Sequence, residues 1–214
     1  MSSVMLHLIV EQFKTLPVLV SDETCGGKTY IVTGSNVGLG LETARHLVSC
    51  SAARVILAVR NVEAGEKAKT DIERSTSRSG VIEVWRLDLA SSASVKAFTE
   101  RASTLERIDA FVANAGIFLD QWTLAEGTET SMAVNVINTV LLAVLVMPKM
   151  TETAKKFGVK PRITFVVSAL AFTVKGEMAK GGKVDIFSGL NNPKTANLAA
   201  RYDCPAFLVR FGKY

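Results

Sequence analysis

The residues best suited to chemistry form an octet near the start of the chain, Thr33-Gly34-Ser35-Asn36-Val37-Gly38-Leu39-Gly40. Glycines at this spacing let a backbone turn tightly, approach a bulky anion, and let a following helix pack closely on the preceding strand. The N-terminus of that helix then offers unpaired N–H groups to a pyrophosphate. The octet therefore predicts a dinucleotide site. Farther on, Ala58-Val59-Arg60-Asn61 presents an arginine and no acid. A carboxylate at the end of the second strand would bind a ribose 2′-hydroxyl, whereas an arginine suits a 2′-phosphate. Arg60 points to NADP as the cofactor.

Such a loop works only between a buried strand and a helix, and the surrounding pattern supplies both. Lys28–Thr33 is a short apolar run, and Leu39–Ser49 carries Leu39, Ala44, Leu47 and Val48 at helical spacing. Strand-like runs follow at Arg54–Val59, Val81–Leu87, Ile108–Ala113 and Arg162–Val167. Between them lie helix-like stretches at Glu63–Arg74, Ser92–Leu105 and Ser131–Met147. Strands alternating with helices predict βαβ units, hence an α/β fold of the Rossmann type: a doubly wound parallel sheet with helices on both faces. In the last helix, Val134, Ile137, Leu141, Val144 and Leu145 fall on one apolar face, flanked by Val136, Val140 and Met147. The segment Lys175–Asn197 is rich in Gly, Lys and Asn and reads as a long surface excursion. Residues 1–27 read as an N-terminal extension and 28–214 as a single domain.

Composition narrows the function classes. With 214 residues, 48% hydrophobic and 21% charged, the chain suits one globular domain. Its 25 Lys and Arg against 20 Asp and Glu leave a net charge of +5 without a basic run, which argues against nucleic acid as a partner. Cys25, Cys50 and Cys204 lack paired spacing and predict free thiols in a reducing compartment, hence a cytoplasmic protein. His7 and His46 are the only histidines, so a multi-histidine metal site is excluded. Met132–Met147 is apolar but contains Asn135 and Asn138 and falls short of the roughly 20 residues that span a bilayer, so no transmembrane span is expected. Val4–Phe13 reads as a short helix on the domain.

The glycine octet, Asp88-Leu89, Asn114-Ala115-Gly116, Asn135 within a helix and Ser168 ending a strand occur in a telling order. It resembles that of the classical short-chain dehydrogenase/reductase family, over about residues 17 to 202. The wording IVTGSNVGLGLETARHL is most similar to the fungal retinol-dehydrogenase-like branch, many members of which serve secondary metabolism. The resemblance implies that Asp88 and Leu89 meet the adenine and that Asn114, Ala115 and Gly116 lie against the cofactor. It further implies that Asn135 holds a water in a proton relay and that Ser168 bonds the substrate oxygen. The substrate would be a small alcohol or carbonyl compound. Because family members bury part of the Asn135 helix against a second subunit, it leaves room for a homo-oligomer.

The family's acid is a tyrosine with a lysine four residues later, one helical turn along, whose charge lowers the phenol's pKa. Tyr202 is the matching tyrosine. Position 206 is alanine, Pro205 removes a backbone donor beside it, and Lys213 lies too far along to share the face. The similarity stops after Tyr202, so the domain reads as truncated, with its C-terminal strands missing. Two expectations follow: an NADP-dependent oxidoreductase, or a catalytically inactive NADP-binding or interaction protein derived from one.

Overall fold

Five runs of four to six residues become five parallel strands. The inner runs Thr29–Thr33 and, after Arg54, Arg54–Val59 are buried on both faces and have almost no polar side to offer water, while the edge strands carry exposed positions such as Arg86 and Arg162. The computed structural model describes Phe13, residues 20–167 and residues 191–194. Within them a short helix α1 (Asp22–Cys25) leads into β1 (Thr29–Thr33), α2 (Gly38–Ser49), β2 (Arg54–Val59) and α3 (Val62–Thr76). Next come β3 (Ile82–Arg86), α4 (Ser92–Ser103) and β4 (Ala110–Ala113). A two-stranded hairpin, β5 (Leu124–Ala125) and β6 (Thr128–Glu129), precedes one helical run and then β7 (Arg162–Phe165). That run comprises α5 (Thr130–Met132), a π-helical turn (Ala133–Asn138) and α6 (Thr139–Phe157).

The sheet order is β3-β2-β1-β4-β7, so the chain winds outward from β1 in one direction and then restarts at β4 in the other. Residues alternate between two cores. Tyr30, Val32, Val55, Leu57 and Val59 face Ala44, Leu47, Val48, Ala68 and Ile72 of α2 and α3. Ile31, Ile56, Ala58, Trp85 and Phe111 face Val95 and Phe98 of α4 and Leu142, Val146 and Met150 of α6. The doubly wound α/β architecture expected from the sequence is the observed one.

The long helix departs from expectation in two ways. It continues ten residues beyond Met147, through Pro148, to Phe157. Pro148 and Val144, whose carbonyl it leaves without a helical donor, both face solvent, where water can serve that carbonyl. Its apolar face is also rotated. The buried apolar positions after Val134 are Val136, Leu142, Ala143, Val146 and Met150, while Ile137, Val144 and Met147 are exposed. The π turn inserts one extra residue, so the face expected at 141 and 145 falls at 142 and 146. At 28 residues and a mean hydropathy of 2.0 the run is long and apolar enough to cross a membrane. With 56% of its apolar window buried against the sheet, it serves as a core helix.

At the opposite end of the strands, Asp109 fixes the register of β1 against β4. Its buried carboxylate accepts from the Thr29 backbone N–H at 2.9 Å and from Arg107 Nε at 2.7 Å. The adjacent carboxylate holds the Arg107 guanidinium above its ordinary pKa. Asp109→Ala leaves both donors unanswered and is expected to cost about 2–4 kcal/mol, read as a lower urea midpoint with an unchanged slope. A stability equal to that of the unmodified chain would show that the pair contributes nothing net.

Candidate functional site

The strand order reverses between β1 and β4, and crevices outside the carboxyl ends of strands at such a point are where α/β sheets bind ligands. A cleft of about 330 Å³ opens there. Gly34, Asn36 and Val37 form its floor, Arg60 and Asn61 one end, Asp88, Leu89 and Ala90 a wall, and Asn114 to Ile117 with Val134 the other end.

The floor has the features a pyrophosphate needs. Helix α2 begins at Gly38 with no side-chain cap, whereas α3 and α4 are capped by Asn61 and Ser91. The first-turn N–H groups of α2 thus remain free to meet an anion. Gly38 has φ +58°, and a side chain there would project into open space above the loop. Gly40 lies behind it in close contact: a Cβ would stand 2.5 Å from both Asn114 Nδ2 and the Gly34 carbonyl oxygen. Helix α2 can therefore pack this closely against the loop and Asn114 only because position 40 is bare.

The remaining octet residues divide by role. Ser35 is fully buried, its hydroxyl donating to the Val32 carbonyl at 2.9 Å, so it shapes the loop from within. Leu39 is exposed and, like Gly38 and Gly40, lies outside the cleft wall. Thr33, whose role the sequence alone does not reveal, is a junction. Its hydroxyl accepts the Asn114 and Ala115 N–H groups at 3.0 and 2.9 Å, and its carbonyl accepts from Asn114 Nδ2 at 3.0 Å. A threonine closing a buried strand was the available signal. Asn114 also reaches the Gly34 carbonyl at 3.3 Å, so its amide welds β4 to the glycine loop.

Arg60 stands exposed at the mouth and makes no ion pair among the described residues. Asp88 turns one carboxylate oxygen onto the Ala90 N–H at 2.9 Å, and its own N–H donates to Ser94 Oγ at 2.9 Å. Asn135 sits in the π turn and pairs with Ile117 through two bonds of 2.9 Å, accepting from its N–H and donating to its carbonyl. Both polar atoms of the amide are thus engaged with the protein backbone. Hairpin β5–β6 closes the region from outside: Glu126 accepts from the Ser92 N–H at 3.0 Å, and this serine holds the carboxyl below the usual carboxylate range. Ser168 and Tyr202, with Cys204, Pro205, Ala206 and Lys213, lie outside the described residues.

Together, an uncapped helix start, a glycine loop and a cationic mouth at a topological switch point define a dinucleotide-binding α/β domain. A family model described as short chain dehydrogenase matches residues 28–179, and the chain belongs to that family, whose members bind a nicotinamide cofactor. It is 49% identical over 163 residues to the short chain dehydrogenase/reductase dmxR8 of Cryptosporiopsis sp. (strain 8999), covering 75% of this chain and 50% of the relative. It is 41% identical over 194 residues to the short chain dehydrogenase atnD of Emericella nidulans, covering 90% of this chain and 60% of the relative. The chain thus spans between half and two thirds of the length of these curated relatives. Among solved structures, a short chain dehydrogenase of Escherichia coli CFT073 complexed with NADPH superposes with a TM-score of 0.63 at 21% identity. That match covers 87% of this chain and 69% of the bacterial one.

Proposed function

We propose that the chain is an NADP-dependent oxidoreductase interconverting an alcohol with a ketone or aldehyde on a small hydrophobic metabolite. We place it in the cytoplasm of a fungus, in secondary metabolism. The carrying observation is Arg60: the mouth of the cleft offers a guanidinium, with no carboxylate at the end of β2 to claim a ribose 2′-hydroxyl. The fungal relatives support the pathway class, the buried free thiols of Cys25 and Cys50 support a reducing compartment, and Ile117 and Val134 make the far end of the cleft apolar.

In this reading the cofactor, when bound, supplies or accepts hydride. Ser168 donates a hydrogen bond to the substrate oxygen, and Tyr202 delivers or removes its proton. Asn135 holds the loop at Ile117 in place and keeps the relay water beside it. Ala206, standing where a lysine would assist Tyr202, favours a second reading: a chain that binds NADP without turning it over. Following the absorbance of NADPH with a panel of small ketones and aldehydes separates the two. Substrate-dependent consumption that disappears in Tyr202→Phe supports the oxidoreductase. NADPH binding without consumption, at any pH at which the fold persists, selects the second reading.

A further inference from the structure

The π turn does more than interrupt a helix. It presents two buried or half-buried amides, Asn135 and Asn138, to two different loops. Asn135 holds Ile117 at one end of the cleft. Asn138, almost wholly buried, donates from Nδ2 to the Leu89 carbonyl at 2.8 Å, in the loop that carries Asp88 and Ala90 along the cleft wall. Its Oδ1 lies 3.3 Å from the Ser92 hydroxyl, which also contacts Glu126 of the hairpin. A regular α-helix would set these two positions closer together around its axis; the wider π turn spreads them toward separate partners.

We propose that Asn138 is a positioning residue for the nucleotide. By tying the Leu89 carbonyl to the central helix it fixes the wall that meets the adenosine half, while Asn135 independently fixes the opposite end. This rests on the NADP reading. A buried amide donor paired with a carbonyl is costly to remove, because the Leu89 oxygen then lacks its partner. The loop would relax, and Asp88 and Leu89 would lose their register over the cleft. The hydroxyl of Ser92 supports the same amide from the other side, and Glu126 anchors that serine.

The test uses adenosine 2′,5′-bisphosphate, which probes only the adenosine half, titrated calorimetrically into the chain as it stands and into Asn138→Ala and Asn135→Ala. Asn138→Ala is expected to weaken binding about tenfold and Asn135→Ala less than about twofold, each lost factor of ten being about 1.4 kcal/mol. Hydrogen exchange of the nucleotide-free chains gives a second readout: amides 87–91 exchange faster in Asn138→Ala, and amides 115–119 do not. If Asn138→Ala does not melt cooperatively, Ser92→Ala takes its place, with a loss of about threefold and the same exchange pattern. Unchanged affinity with unchanged exchange, or equal losses from Asn135→Ala and Asn138→Ala, overturns the inference. If the unmodified chain does not bind the bisphosphate, the NADP reading falls, and the exchange pattern alone decides whether Asn138 holds the loop.

Discussion

Gly40→Ala is expected to weaken NADPH binding by at least about a hundredfold, a loss of roughly 2.7 kcal/mol. On an exposed helix the same change would stabilise by up to about 1 kcal/mol, because alanine is the better helix former. Here the sign reverses. The new methyl would meet Asn114 Nδ2 and the Gly34 carbonyl oxygen at 2.5 Å, one of them backbone. Either α2 backs away from the loop, or Asn114 releases the Thr33 and Gly34 carbonyls that it holds at 3.0 and 3.3 Å. Both outcomes displace the helix start from the phosphates, and overpacking of this kind adds about 1–3 kcal/mol of lost stability. Titration with NADPH alongside thermal melting checks both effects. Near-normal affinity would mean that the loop does not approach the phosphates as closely as the packing indicates.

The second large effect concerns proton transfer. In the proposed reading Tyr202 is the base; position 206, four residues along, is alanine rather than lysine, and an unassisted phenol, with an ordinary pKa of about 10, is protonated at neutral pH. Alcohol oxidation needs the phenolate as base. The oxidation rate should therefore be near background at pH 7 and climb about tenfold per pH unit toward pH 10. A positioned general base contributes about 10²–10⁴-fold, which sets the deficit at neutral pH. Ala206→Lys alone should recover little of it, because Pro205 still interrupts the backbone beside it. Pre-steady-state oxidation of a simple secondary alcohol across pH 7–10 provides the check. Robust turnover that is flat with pH would show that another group serves as the base.

The positions of β1, β2, α2 and α3 were legible because local pattern and tertiary demand coincide there. After Arg54 the run Val55–Val59 is apolar throughout, and those positions are buried on both faces of the strand. The glycine octet was legible for the same reason: its spacing makes sense only between a strand and a helix. Less legible were features that depend on distant partners. Nothing local distinguishes the π turn, whose effect was to rotate the face of α6 by one residue; the hydroxyl of Thr139 reaches back five residues to the Val134 carbonyl at 2.7 Å. The hairpin β5–β6 is only two residues per strand, too short for an alternating pattern. Its Glu126 matters through Ser92, thirty-four residues away. Asn135 was legible as a polar residue within the long helix, but its two bonds to Ile117 required the loop to be seen folded.

The proposed selection of a 2′-phosphate by Arg60, at the cleft outside the ends of β1 and β4, has a direct test. It is a pair of titrations, NADPH and NADH, into the unmodified chain and into Arg60→Ala, followed by nucleotide fluorescence at fixed ionic strength. The guanidinium can form a charge-assisted, bidentate pair with a phosphate, so the unmodified chain should prefer NADPH by about tenfold or more. Arg60→Ala should bring the two affinities together by weakening NADPH alone. Equal affinities in the unmodified chain, or a preference for NADH that survives Arg60→Ala, would contradict the account.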